Sequence, residues 1–391
     1  MRILCVYGNS YGGGTETVLL DGLPIINNTP GIRLTFYDLY SRTSVVRKFE
    51  DLHIPICRTG RLDDSPILSL RSGLQRKLDI LAAIPRHLRI VLQLHRAFGE
   101  CDVVYVHGYK DLALSQVARI AGARSSLPIV WHCHGLDDGV ELPFLATLAN
   151  GCARVVAISE DVRRHLIALG VRASIVHTVY NAVDHKRITN AAVLPPVQPL
   201  PPVRGRTIVL VCPAAIRPVK GIHLAIQALS SLPPTVDLWI TGDTSDAGAS
   251  EYLDRLLTLA KHLGVIERVY FLGVRKDLPS VMQSAHVICV PSVWREGFGL
   301  VAAEAMTLGK PIVTSSRGAL PEVVGEDGLI FDPNQPGDLV QKLATLISDP
   351  ALAASLGADA RRSALRRFGY DRWADEVATQ LRAAFPLDAA A

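Results

Sequence analysis

The sequence predicts two doubly wound α/β domains with parallel sheets, and three observations carry that prediction. Short β-rich runs alternate with helical patterns along most of the chain. The runs are apolar through their length instead of alternating, as strands covered on both faces are. A proline-rich stretch splits the series in two. At 391 residues the chain also exceeds one ordinary core, since domains cluster at about 100–200 residues.

In the first half the runs are 1–7, 32–37, 103–107, 129–134 and 154–158. In the second they are 207–212, 236–241, 268–272, 287–290, 311–314 and 329–331. Between them, 190–206 holds five prolines in eight residues (Pro195, Pro196, Pro199, Pro201 and Pro202). Each fixes φ and removes a donor, so this stretch reads as a semi-rigid linker. The domains are accordingly 1–190 and 205–370. Residues 351–385 read as helical with interruptions at Gly357 and Gly369. The last helix, about 371–386, presents Trp373, Val377, Leu381 and Phe385 as an apolar stripe that must pack on something. Ligands of such sheets lie outside the carboxyl ends of the strands, so a cleft between facing domains is the expected site.

Composition excludes several classes. Hydrophobic residues make up 49% and the net charge is only +4, which rules out disorder. Apolar runs are broken well short of the roughly 20 residues a spanning helix needs, and the apolar stretch before Gly8 is too short for a signal-peptide core. Seven widely spaced cysteines, with no C-x-x-C, fit reduced thiols and a cytoplasmic setting. Residues 31–98 hold 12 Lys and Arg against 6 Asp and Glu. Within them 78–98 interleaves leucines and isoleucines with Arg86, Arg89 and Arg96. That pattern suits contact with an anionic membrane surface and equally a core-covering helix pair broken at Pro85. Nucleic acid is a poor partner, because aromatics do not interleave with the basic residues.

The stretch 291–308, PSVWREGFGLVAAEAMTL, is the most informative. Gly297, Phe298 and Gly299 open a helix at a strand's carboxyl end that stops at Gly309, with Glu296 before the turn and Glu304 about two turns inside the helix. Eight positions correspond to about 80° of rotation, so the two carboxylates would address different parts of one extended ligand. Arg217 and Lys220 follow the run 207–212 and are three apart, a fork and a point charge suited to a diphosphate. Gly12, Gly13 and Gly14 follow the first strand and would let a backbone approach a ligand, yet they do not form G-x-G-x-x-G. His132 and His134 share one strand face; no third ligand has convincing spacing, so no metal is assigned.

The segment E-G-F-G-L-V-A-A-E from Glu296 to Glu304 resembles the E-x7-E motif of retaining glycosyltransferases of the GT-B fold, family 4. Arg217 with Lys220, Gly242-Asp243, Gly273-Val274, 318–324, Gly12–Glu16, His134-Gly135 and 179–184 agree with it in order and spacing. The resemblance implies two Rossmann-like domains, the first for the acceptor and the second for a sugar nucleotide, with the C-terminal helix crossing back to the first. It implies transfer of a hexose-type sugar from UDP or GDP to a hydroxyl of a saccharide or lipid-linked acceptor, in bacterial-type polysaccharide or glycoconjugate synthesis.

By the same resemblance Arg217 and Lys220 neutralise the leaving diphosphate, Glu296 with Gly297, Phe298, Gly299 and Leu300 holds the transferred sugar, and Glu304 takes the ribose hydroxyls. His134 lies near donor sugar and acceptor, Gly13 and Gly14 line the donor site, and Val274 with Arg275 neighbours the base. No cofactor and no metal are implied. A sugar-nucleotide epimerase and a non-catalytic sugar-nucleotide-binding subunit stand as alternatives.

Overall fold

The computed structural model describes residues 1–8, 14–39, 49–51, 54–58, 74–122, 126–135, 144–202, 208–244 and 247–385. Gly12 and Gly13 therefore lie outside the described residues. The chain forms two compact units, Met1–Tyr180 with Tyr370–Ala391, and Asn181–Gly369.

The first unit is built on a seven-stranded parallel sheet. Its strands are β1 (Arg2–Tyr7), β2 (Arg33–Asp38), β3 (Ile56–Arg58), β4 (Val103–Val106), β5 (Ile129–Cys133), β6 (Arg154–Ala157) and β7 (Val176–Thr178), in the order 3-2-1-4-5-6-7. The helices are α1 (Gly14–Asn27), α2 (Leu74–Ala97), α3 (Tyr109–Ile120), α4 (Leu145–Asn150) and α5 (Glu160–Ala168). β1, β4 and β5 are buried along almost their whole length, which is why Val, Ile, Leu, Cys and aromatic residues dominate their sequences with no polar alternation. Order reverses between β1 and β4, so the loops after these two strands are neighbours at the topological switch point. α2 is one helix with Pro85 inside it, which replaces the expected pair broken at that proline.

The second unit carries six parallel strands: β8 (Ile208–Pro213), β9 (Val236–Thr241), β10 (Val269–Phe271), β11 (Val287–Val290), β12 (Ile312–Ser315) and β13 (Leu329–Phe331), ordered 10-9-8-11-12-13. Its helices are α6 (His185–Ala192), α7 (Ile222–Ser231), α8 (Ala247–His262), α9 (Leu278–Gln283), α10 (Leu300–Thr307), α11 (Leu320–Val324), α12 (Asp338–Ser348) and α13 (Pro350–Arg367). One apolar core gathers Leu210, Ile226, Leu238, Leu256, Val313 and Leu343 from sheet and helices. Here the switch point lies between β8 and β11. α13 runs through Gly357, whose missing side chain lets the helix approach the Gly309 carbonyl, and the helical stretch is broken only near Gly369.

The division between units differs from the sequence-based one. Asn181 to Ala192 belong to the second unit because α6 packs on α9 and α10, with His185 Nδ1 3.0 Å from Thr307 Oγ1. The proline-rich stretch also lies on that unit. Val197 N–H donates to Asp277 Oδ2 at 2.6 Å, Ser280 Oγ to the Leu194 carbonyl, and Arg275 Nη2 to the Gln198 carbonyl.

The last helix, α14 (Tyr370–Ala384), is part of the first unit. Its stripe of Trp373, Val377 and Leu381 is completely buried, and the helix packs on α1 and on β4, β5 and β6. A Cβ at Gly22 of α1 would sit 2.3 Å from the Trp373 ring, so this contact admits no side chain at position 22. Burying a Trp supplies several kcal/mol, of order 25 cal/mol per Å² of apolar surface, enough to hold a helix that follows the rest of the unit by almost 190 residues.

Candidate functional site

In the second unit the switch point places two loops together. After β8 the chain extends through Arg217 and closes a 3-10 turn over Pro218–Lys220, with Lys220 N–H donating to the Arg217 carbonyl at 3.0 Å. After β11 comes the loop from Pro291 to Gly299. The N–H groups of Val293 and Trp294 both donate to the Val219 carbonyl, at 3.0 and 3.3 Å, which ties the loops. Gly221 (φ +66°) lies so close that a Cβ there would be 1.9 Å from the Pro291 carbonyl oxygen; only glycine serves both the backbone angle and the approach.

That junction brings Lys220 to Glu296. Lys220 Nζ donates to Glu296 Oε1 at 2.5 Å, and Ser292 Oγ, from a buried residue, donates to the same oxygen at 2.6 Å. Oε2 is left without a partner among the described residues. The Glu296 backbone is fixed from the far side: its carbonyl accepts from Ala319 N–H at 2.8 Å, and Gly318 (φ +61°) passes so near that a Cβ would lie 2.3 Å from the carbonyl oxygen. Arg217 is exposed, three residues from Lys220. Phe298 is buried edge-on to Phe368 and anchors the turn, while Gly299 (φ +90°) is the N-cap of α10, whose first residue is Leu300. Gly297, between Glu296 and Phe298, is part-exposed. Sequence reasoning named both members of the Lys220–Glu296 pair but not Ser292, which carries no signal beyond a serine after a strand.

Glu304 lies on α10, four residues past Leu300. Burial pushes its carboxyl up to about 7, an effect that the Arg187 charge on α6 opposes. A carboxylate so placed gains from a donor that replaces lost water. Val274 is exposed, whereas Arg275 is buried and gives its fork to Asp277 at 2.8 and 2.7 Å. Burial acts to raise the Asp277 carboxyl, but that fork and the Val197 N–H together hold it below the usual range. Arg275 thus fastens the proline-rich segment, a structural task.

In the first unit the switch point joins Gly8, after β1, to Gly108, after β4. Both N–H groups donate to Asp111 Oδ2, at 3.1 and 2.9 Å, and burial still pushes that carboxyl up to about 7. Gly14 is the first residue of α1. His134 follows β5 and does not stand alone. Its Nε2 is 3.1 Å from Nδ1 of His107, which follows β4, and its ring stacks on His132 with centroids 4.5 Å apart. Tyr105 hydroxyl meets His132 Nδ1 at 2.5 Å, and Cys5 Sγ lies 3.4 Å from His107 Nε2. Burial lowers all three imidazoles, His134 to about 3, so each is neutral at physiological pH. The third histidine was missed because it lies 25 residues before His132; the signal is its matching place at the end of an adjacent strand.

Two doubly wound parallel sheets in successive α/β units define the GT-B fold. Comparison with known proteins specifies the family. The profile described as Glycosyl transferases group 1 matches residues 201–363, and that described as Glycosyltransferase Family 4 matches 56–187. The chain belongs to the group 1, family 4 glycosyltransferases.

It is 35% identical over 161 residues (39% of this chain) to D-inositol 3-phosphate glycosyltransferase of Corynebacterium jeikeium, and 30% identical over 271 residues (64% of this chain) to the Mycobacterium sp. (strain KMS) protein of the same name. These matches span 38% and 60% of those relatives' own length. Among solved structures, Anabaena HepE in complex with UDP and glucose is similar over 98% of this chain and 100% of that one, with 25% identity and a TM-score of 0.77.

Proposed function

We propose that the protein transfers a hexose-type sugar, with retention of configuration, from a nucleoside diphosphate sugar to a hydroxyl of a saccharide or lipid-linked acceptor in glycan synthesis. The observation that carries this reading is the Lys220–Glu296 pair at the switch point of the second sheet. Arg217 and Lys220 offer the positive charge that a departing diphosphate needs, so its negative charge is stabilised without a metal ion. Glu296 offers Oε2 to hydroxyls of the transferred sugar, with the N–H groups of Gly297 to Leu300 beside it, and Glu304 accepts from the ribose diol. UDP is favoured over GDP as the carrier, because HepE is described with UDP, with UDP-glucose, and with UDP and glucose.

His134 is assigned to the donor sugar and acceptor, and Gly13 and Gly14 to the donor. Glu296 serves as sugar-positioning carboxylate; the leaving phosphate helps deprotonate the incoming hydroxyl on the same face.

No helix among the described residues is long and apolar enough to cross a membrane. On α2, Ile90, Val91 and Leu94 are buried while Leu88 (56% exposed), Arg89, Leu92 (52% exposed) and Arg96 face solvent. That outer face supports contact with an anionic membrane surface carrying a lipid-linked acceptor. The test is thermal stabilisation of the purified protein by UDP, GDP and dTDP and their sugar conjugates, alongside Lys220→Ala. A UDP-specific rise in Tm that the variant loses is expected; no rise with any nucleotide rejects the reading.

A further inference from the structure

We propose that His107, His132 and His134 form a binding site in the first unit for one transition-metal ion that favours imidazole, with Zn²⁺ as the reference ion. The site is distinct from the diphosphate-binding cations of the second unit, and it shares His134 with the sugar and acceptor assignment above, since the ion would take Nε2 of that residue.

The fold brings the ligands together. β4 and β5 pair with Val106 opposite Trp131, so the residues that follow, His107 and His132, continue side by side, and His134 lies two further on. One ring nitrogen from each histidine lies within 4.8 Å of the others. A tetrahedral ion with Zn–N bonds of 2.0–2.1 Å sets its nitrogens about 3.3 Å apart. The Nδ1 of His107 and Nε2 of His134 are already separated by 3.1 Å. On one ion the two nitrogens keep nearly this separation while both rings turn to aim their lone pairs at it, and His132 closes the third side by rotating out of its stack on His134.

Two of the three nitrogens that would not bind the ion have partners, the third being Nδ1 of His134. With Nδ1 of His107 on the metal, its Nε2–H faces Cys5 Sγ at 3.4 Å; with Nε2 of His132 on the metal, its Nδ1–H faces the Tyr105 hydroxyl at 2.5 Å. Such outer partners fix tautomer and ring orientation in histidine metal sites. Without an ion, Nε2 of His132 is buried with no hydrogen-bond partner, and so is Nδ1 of His134. An unpartnered buried nitrogen costs on the order of 1–3 kcal/mol, which binding at Nε2 of His132 would remove. Three protein nitrogens leave a fourth position for water or an anionic ligand.

The experiment uses the full chain stripped with EDTA and titrated with Co²⁺, read by visible absorption, and with Zn²⁺ against a chromogenic chelator. One equivalent with a tetrahedral Co²⁺ spectrum is expected. His107→Ala and His132→Ala should weaken it by about 100-fold or more, Tyr105→Phe by about 10-fold, and His262→Ala, at an exposed histidine outside the cluster, should leave it unchanged. Circular dichroism and melting confirm that each variant is folded; if His107→Ala is not, His132→Gln and Tyr105→Phe decide. Absence of a stoichiometric site in the wild type, an octahedral spectrum, or undiminished binding in the folded variants overturns the proposal.

Discussion

Lys220 Nζ and Glu296 Oε1 are 2.5 Å apart although 76 residues separate them in the chain, and Ser292 shares the same carboxylate oxygen. The lysine therefore rests against a counter-charge that an incoming diphosphate must compete with. Lys220→Ala should lower kcat by about 10²–10³-fold, the loss typical when one charge-stabilising donor is removed. Glu296→Gln should also lower turnover, yet it frees Lys220 and should leave UDP binding equal or several-fold tighter. Calorimetric titration with UDP alongside a transfer assay separates the two effects. Full turnover in both variants would remove the pair from the mechanism.

Gly318 gives a backbone test of the same carboxylate. A methyl group there would meet the Glu296 carbonyl at 2.3 Å and would also sit at a positive φ. Gly318→Ala should displace the Glu296 loop and reduce transfer at least 10-fold, with a fold loss of about 1–3 kcal/mol. Steady-state kinetics together with urea unfolding check both parts.

Glu304 makes donor binding depend on pH. Its carboxyl is raised to about 7 by burial, and a ribose diol favours the ionised form, so binding pulls that value down and releases a proton. Affinity for UDP-glucose, whose diphosphate diester does not titrate in this range, should rise about 10-fold from pH 6 to pH 8 and level off above. Glu304→Gln should flatten the curve. A pH-independent wild-type affinity would sink this assignment.

Asp111 has a raised carboxyl for the same reason in the first unit. Because the folded value lies above the unfolded one, the folded state holds an extra proton between about pH 4 and pH 7. Stability should fall as pH rises through that window, with the full penalty present above it. Asp111→Asn keeps an oxygen for the Gly8 and Gly108 N–H groups and removes the charge. It should be at least as stable as the wild type at pH 8, as read by Tm across a pH series.

Much of the fold is legible because buried parallel strands are apolar throughout. All six strands of the second sheet coincide with runs visible in the sequence, to within a residue or two at the ends. β3 and β7 are not legible: each is three residues long at a sheet edge, where packing is half absent and little sequence pattern is imposed. The candidate residues Arg217, Lys220, Glu296 and Glu304 are legible as types at strand ends. Their relationships are not, since β8 and β11 become neighbours only through the 10-9-8-11 strand order of the second sheet. His107 is hidden because it lies 25 residues before His132 and comes beside it only through the pairing of β4 with β5. α6 lies in the second unit although it precedes the proline-rich stretch, because proline composition marks where a chain stiffens, whereas the unit boundary follows what α6 packs against.

The crossing at Tyr180–Asn181 and its return at Gly369–Tyr370 have a consequence for the order of events on the ribosome. Val183 N–H meets the Phe368 carbonyl within the second unit, and Arg372 meets the Tyr180 carbonyl within the first. The first unit to be synthesised is thus the last to be completed, because Trp373 and its helix are made after the whole second unit. Until then the α1 groove around Gly22 stays uncovered on a nascent chain, and the second unit, contiguous in sequence, is the one able to fold in passing. Chains truncated before Tyr370 would be expected to carry a finished second unit attached to an unfinished first.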